Sequence, residues 1–176
     1  MPRVGACKDR LADAIERFGR MPIVKRTITV HPADPALRRA GEAPYWAAGG
    51  LVHDGHGRVL LIRHAGSSRW GDAWVTPGGR LEDGESTVDG FRRETLEEVG
   101  LEVVDLALTR IFNEALTDGA RVCHGYFAQF IGRATVSAPV PGPDVREVRW
   151  FEALPEDLAF REDYIEDFRR LLDGKF

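Results

Sequence analysis

Apolar residues recur along this chain with two different spacings. Leu11, Ala14, Ile15 and Phe18 fall at i, i+3, i+4 and i+7, which predicts a helix over residues 7–19 with one apolar stripe and a stop at Gly19. That stripe is a packing face, for this chain or for a second copy. Residues 24–30, VKRTITV, are rich in β-branched side chains and predict a strand. Residues 31–44, HPADPALRRAGEAP, hold three prolines and predict a linker or irregular loop. The main domain is expected to begin near Tyr45, leaving residues 1–44 as an N-terminal extension and 45–176 as the domain proper.

From Tyr45 the pattern becomes one of short strands. YWAAGGLVH and GRVLLIRH flank Asp54-Gly55-His56-Gly57, a hairpin signal. A glycine loop follows at Pro77-Gly78-Gly79. Residues 86 to about 98 predict a helix, with Ser86 or Thr87 as its cap and Gly100 past its end. Val103–Phe112 and Val122–Ile131 read as core strands, with Arg133–Val136 as an extension. PVPGPD at 139–144 is a loop and EVRWF at 147–151 another strand. A last helix, 161–172, is expected to bury Tyr164, Ile165, Phe168, Leu171 and Leu172. Strands and helices interleave without a regular strand-helix-strand alternation. The fold class is therefore α/β, a mixed sheet with helices on both sides.

Composition narrows the possibilities. With 43% apolar and 30% charged residues in 176, the chain is globular. A net charge of -4 argues against a broad surface for a nucleic-acid polymer. Two cysteines, Cys7 and Cys123, make no disulfide framework and are read as reduced thiols of a cytoplasmic protein. No apolar run approaches the roughly 18 residues that cross a membrane, and the first 20 residues lack a signal-peptide core.

The chemistry concentrates in GRLEDGESTVDGFRRETLEEVGL, residues 79–101. Glu94, Glu97 and Glu98 stand at i, i+3 and i+4 on the expected helix and project from one face. Their repulsion costs roughly 0.2–0.5 kcal/mol per close pair, and the C-terminal end of a helix disfavours anions. Arg92 and Arg93 relieve part of this, and a divalent cation would relieve more. Magnesium takes oxygen ligands and keeps waters and substrate phosphates in its shell. Carboxylates beside a glycine loop therefore suit a diphosphate site, although Glu-Glu pairs on helices are usually solvated surface.

The same stretch resembles the signature of the Nudix hydrolases, of the MutT-like kind. Gly79 is followed after five residues by Glu85, and after seven more by Arg93-Glu94, then Glu97-Glu98 and Gly100-Leu101. Thr95 stands where the family prefers an aliphatic residue. Trp74–Gly78 resembles the family's approach to this box, and the resemblance runs over roughly residues 45–172. It implies an α/β/α sandwich with the box as a loop-helix-loop. It implies Glu94 and Glu98 as metal ligands, Glu97 as a further ligand or a base, and the Gly78 carbonyl as another ligand. Arg93 would orient a box carboxylate, Glu85 foremost. The cofactor would be Mg2+, with Mn2+ as the other candidate.

Outside the box, Trp74 is expected in the core, and Trp70 as a contact for a base. Arg63 and Arg69 are candidates for substrate phosphates. In the family a distant acid sometimes supplies the general base; Glu147 is the first choice here and Glu114 the second, each with an ordinary surface salt bridge as the alternative. The five histidines show no metal-ligand spacing. The expected activity is metal-dependent hydrolysis of a diphosphate bond in a nucleotide-like small molecule, nucleoside triphosphates favoured. The alternatives are ADP-ribose, dinucleoside polyphosphate and other nucleotide-sugar pyrophosphatases, an isopentenyl diphosphate isomerase, and a non-catalytic nucleotide-binding domain. The subfamily markers for ADP-ribose, diadenosine polyphosphate and NADH substrates are absent after the box, and the intact box disfavours the last two alternatives. The extension is expected to serve assembly, as a possible homodimer contact, rather than chemistry.

Overall fold

A seven-stranded mixed sheet divides the molecule into two cores. The structure, a computed structural model, describes residues 7–66 and 68–176. The elements are α1 (Cys7–Phe18), β1 (Ile23–Thr29), a 3-10 turn (Pro35–Arg39), β2 (Tyr45–His53), β3 (Val59–His64), β4 (Gly78–Arg80), α2 (Thr87–Val99), β5 (Val103–Thr117), β6 (Val122–Ala134), β7 (Val145–Phe151) and α3 (Arg161–Leu172). The strand order is β1-β5-β6-β2-β3-β7, with β4 also on β2. β1 runs parallel to β5 and β2 parallel to β6, while the remaining pairings are antiparallel. Helices cover both faces. One core joins α1 and α2 to the sheet through Ala14, Val88, Phe91, Val99 and Phe130. The other joins α3 through Leu51, Leu61, Trp74, Ile131 and Tyr164.

The period of α2 explains its seat. Val88, Phe91, Thr95 and Val99 are buried at helical spacing, and Phe91 stacks on Phe130 of β6 with ring centroids 5.2 Å apart. Burying one such ring is worth about 1.5–3 kcal/mol. Thr95 fills the aliphatic position of the box by packing its methyl inward, while its hydroxyl donates to the Phe91 carbonyl at 2.8 Å. Ser86 caps the helix by accepting from the Asp89 amide at 3.1 Å, and Gly100 is its C-cap.

Several boundaries differ from those expected. β5 continues past Phe112 to Thr117 because a tight turn closes the β5–β6 hairpin, its Asp118 carboxylate accepting from the Ala120 and Arg121 amides at 3.0 and 2.7 Å. Glu114 is thus a strand residue. Leu172 is exposed, since the last turn of α3 runs off the sheet. Ile15 is exposed as well, while Leu11, Ala14 and Phe18 pack on this chain's own core. The proline-rich segment holds the 3-10 turn, whose Ala36 and Leu37 are buried with Val30, Leu116 and Cys123. β1 pairs along its whole length with β5, so the extension is joined to the main sheet. Cys123 is buried and in no disulfide; the Cys7 thiol and Ser67 lie outside what is described. Among the described residues no helix is long and apolar enough to cross a membrane.

Asp34 locks the 3-10 turn to the loop before β4. Its carboxylate accepts from Arg69 Nε and Nη2 at 2.6 and 2.7 Å and from the Ala36 amide at 2.9 Å. The Arg69 guanidinium chiefly, with the Ala36 amide, holds this carboxyl below its ordinary pKa, against the opposing effect of burial. A depressed carboxylate adds stability above its unfolded pKa and loses it as pH falls through the folded value. Asp34→Asn is therefore expected to cost about 1.5–3 kcal/mol at neutral pH, the range for hydrogen bonds to charged groups. The gap to the wild type should narrow below about pH 4, as read by urea melts across that range.

Candidate active site

The acids of the box gather at the joint between β4 and α2. Arg93 is their organiser. Its Nε and Nη2 donate to the two oxygens of Glu85 at 2.8 and 3.1 Å. Its Nη1 donates to Glu94 at 2.9 Å and Glu97 at 3.1 Å, and Nη2 also reaches the Arg80 carbonyl at 2.9 Å. The Arg93 guanidinium holds Glu85 below the ordinary carboxylate range. Glu94 goes the other way, raised by burial. Glu98 is the most perturbed: burial, with help from Glu94, Glu97 and Asp144, pushes it up to about 8. Its carboxylate accepts from the Gly78 amide at 2.9 Å. Glu97 is the exposed member.

The glycines at this joint are there for room. A Cβ on Gly78, whose φ is +152°, would strike the Ala48 carbonyl and lie 2.5 Å from the Gly49 Cα. A Cβ on Gly79 would lie 2.5 Å from the Glu94 carboxyl carbon. The loop 140–145 closes the cleft from the other side. Its Val140 and Gly142 amides donate at 2.8 Å to the Val99 and Glu98 carbonyls, satisfying backbone acceptors at the end of α2. That bonding brings Asp144 to the acids, and Glu94, Glu97, Glu98 and Asp144 line one small cleft.

A second cavity, of about 180 Å3, opens on the opposite face of the sheet. Gly78 and Gly79 form part of its wall, with Tyr45, Phe127, Phe160 and Trp70 supplying rings. Three arginines line it and differ in state. Arg26 of β1 stacks between Phe112 and Phe160, 3.9 and 4.4 Å from their centroids, and is paired with Glu114 and Asp163. Arg69 is committed to Asp34. Arg80 lies over the Tyr45 ring at 4.6 Å and has no ion-pair partner among the described residues.

The structure thus brings together Gly78, Glu85, Arg93, Glu94, Glu97 and Glu98, and it places Trp70 and Arg69 at the neighbouring cavity. It does not bring Glu147 or Arg63 to either place. Glu147 alternates with Val148 on β7 and projects away from α2, where it accepts from Arg149 at 2.6 Å and Arg63 at 3.4 Å. Arg63 is also held by Asp157 at 2.8 Å and lies over Trp74, which is buried. Glu114 is likewise spent, on Arg26 and on the Tyr45 hydroxyl at 2.6 Å. Residues 1–44 are not remote from this region: Arg26 and Ile28 of β1 line the cavity. Sequence reasoning passed over Arg26, Tyr45, Arg80, Phe127, Asp144 and Phe160. Of these, only Arg80 lay within the box and carried a local signal.

A model of the NUDIX domain matches residues 44–170. The chain belongs to the Nudix family. YvcI, a Nudix hydrolase of Bacillus subtilis, is 39% identical over 113 residues, covering 58% of this chain and 70% of its own. An 8-oxo-dGTP diphosphatase of Proteus vulgaris is 36% identical over 61 residues, or 35% of this chain; the match spans 54% of the Proteus enzyme. The crystal structure of a MutT/nudix family protein from Enterococcus faecalis superposes with a TM-score of 0.60 at 22% identity, over 75% of this chain and 63% of the other. That likeness shows the Nudix fold, the three-layer sandwich described above.

The donors of the Nudix box suit a hard divalent cation in kind. They are all oxygens, and Glu98 is buried among like charges with one backbone amide for relief. Among the described residues no three acid side chains already form a cage; magnesium is characteristically held by one or two carboxylates together with waters and substrate phosphates. The glycine joint gives a direct check. Gly78→Ala meets backbone and is expected to cost about 1–3 kcal/mol or more. Gly79→Ala meets only a carboxylate arm, so it should fold better yet lose most of the magnesium-induced rise in melting temperature. Melting curves with and without magnesium measure both.

Proposed function

We propose that this Nudix protein hydrolyses a diphosphate bond in a nucleotide, nucleoside triphosphates foremost, with magnesium as cofactor. The observation that carries this reading is the shared wall at Gly78–Gly79. An acid cleft lies on one side of it and a ring-lined cavity with an unpaired arginine on the other. A substrate with its base among Tyr45, Phe127, Phe160 and Trp70 would have its phosphates at Arg80 and the joint. A nucleoside triphosphate is also what the name of the Proteus relative specifies for that enzyme.

Glu94, Glu98 and the Gly78 carbonyl would hold the cation, with Glu97 as a further ligand or a base. When bound, it neutralises phosphate charge and lowers the pKa of coordinated water. Arg93 keeps the Glu94 and Glu97 arms pointed at the cleft. Arg80 offers its guanidinium to the phosphates. A water proton passes to a carboxylate of the cleft, for which Glu97 and Asp144 are placed. The water oxygen bonds to one phosphorus as the bridging P–O bond breaks, and the other phosphate leaves with the bridging oxygen. No serine or cysteine nucleophile is involved.

Turnover of nucleoside triphosphates, nucleotide sugars and dinucleoside polyphosphates with magnesium tests the reading; no cleavage of the diphosphate bond in any of them, with products resolved by chromatography, would overturn it. Glu98→Gln keeps the shape of the side chain but loses its charge, and is expected to lower turnover by about a hundred- to thousandfold. Its fold should survive, since the amide matches in shape a carboxyl that burial already keeps largely protonated without a cation. Arg80→Ala is expected to raise KM about tenfold, the equivalent of one charge-assisted hydrogen bond to phosphate, with a smaller effect on kcat. Steady-state kinetics at saturating magnesium separates the two.

A further inference from the structure

Arg10 of α1 is deeply placed, only 6% exposed. It lies outside the stretch that the NUDIX model matches, yet it touches the box. Its Nε donates to the Glu85 carbonyl at 3.0 Å and its Nη2 to the Glu82 carbonyl at 2.7 Å. These two carbonyls bracket the turn Glu82-Asp83-Gly84-Glu85, which leads from β4 into α2. Within that turn the Glu85 amide donates to the Glu82 carbonyl at 3.2 Å, and the Glu82 amide to the Glu85 carboxylate at 2.9 Å. The turn carries three acids in four residues and would repel itself without a cation.

From these contacts we infer that Arg10 is a positioning residue for the catalytic box. Glu85 is held from two sides, its carbonyl by Arg10 and its carboxylate by Arg93. Arg93 divides its donors between Glu85 and the pair Glu94 and Glu97. If the turn drifts, Glu85 no longer holds its share, and the guanidinium is free to close over Glu94 and Glu97. Those are the carboxylates the cofactor needs. Arg10 thus keeps the box acids available by fixing the partner that occupies Arg93. Its planar fork suits two carbonyls at once, which a lysine ammonium on a single arm matches less well.

The inference rests on the proposed metal-dependent function for its consequence, but the clamp itself is testable without turnover. The variants are Arg10→Ala and Arg10→Lys, with Arg17→Ala as a control on the same helix; among the described residues Arg17 pairs with Asp13 at 2.8 Å. The first readout is amide hydrogen exchange over residues 82–86. The second is Mn2+ binding followed by electron spin resonance, and the third the magnesium concentration at half-maximal turnover. Arg10→Ala should speed exchange in the turn and weaken Mn2+ binding about tenfold, the low end for groups that orient metal ligands. Half-saturating magnesium should rise in step, with KM for nucleotide at saturating magnesium little changed. Arg10→Lys should fall between, and Arg17→Ala should match the wild type. Unchanged exchange and Mn2+ affinity in Arg10→Ala would overturn the inference, as would an equal effect of Arg17→Ala. If Arg10→Ala does not fold, a wild-type response of Arg10→Lys in all three readouts would overturn it. A wild type that turns over none of the nucleotides defeats the proposed function, while the exchange readout still decides whether Arg10 holds the turn.

Discussion

Five N–H donors on Arg93 meet five acceptors: two oxygens of Glu85, one each of Glu94 and Glu97, and the Arg80 carbonyl. That inventory is the full capacity of a guanidinium, and the site is organised around it. Three glutamates on one helix face repel, and the helix dipole adds to the cost at this end. One cation shared among them makes the cluster tolerable without discharging it. Glu98 is the acid left outside this network. Burial pushes it up to about 8, with the Gly78 amide working the other way. A cation at the glycine joint would favour the ionised carboxylate that burial disfavours.

A second constraint follows from the sheet. The acids hang from α2 on one face and the ring-lined cavity lies on the other, so anything joining the two must pass at the sheet's own backbone. β4 is three residues long and pairs with Ala47, Ala48 and Gly49 of β2, while β3 pairs with Val52 and His53. Gly78 and Gly79 are the first two residues of β4, paired with Gly49 and Ala48. Side chains there would collide with Ala48, Gly49 or Glu94, so the same glycines permit the strand pairing and the close seat of the Glu94 carboxylate. Structure and chemistry make one demand on these positions.

What was legible in the sequence was what local periodicity and one dense motif encode. The helix of the box, its cap at Ser86, the hairpin around Asp54 and the acid face of Glu94, Glu97 and Glu98 all follow from spacing within one element. The pairings that were missed are long-range. Arg26 meets Glu114 because β1 lies parallel to β5 in a register that sets them side by side, and nothing in VKRTITV announces that neighbour. Asp144 reaches the acids through backbone bonds from a proline-rich loop to the end of α2, which residue identity does not signal. Glu147 failed for the opposite reason. Its sequence context suited a base, but strand alternation sends it with Arg149 to the other face.

Contacts with the box and the cavity therefore extend beyond the stretch that the family model matches. The matched stretch begins at residue 44, but Arg10 holds the turn that enters the catalytic helix and Arg26 forms a wall of the cavity. Arg26 also ties β1 to α3 through Asp163 at 2.9 Å, and α3 presents Tyr164 to Thr76 at 3.0 Å, just before the glycine joint. A chain of contacts thus runs from the N-terminal strand through α3 to the approach to the box. α1 acts on the other face, packing Phe18 edge-on against Phe130, 5.6 Å between centroids, next to the Phe91 that seats α2. The sheet order places β1 at an edge, where a strand joins an existing fold by pairing on one side alone. On that edge β1 adds Arg26 and Ile28 to the cavity wall, while the box lies on the opposite face of the sheet.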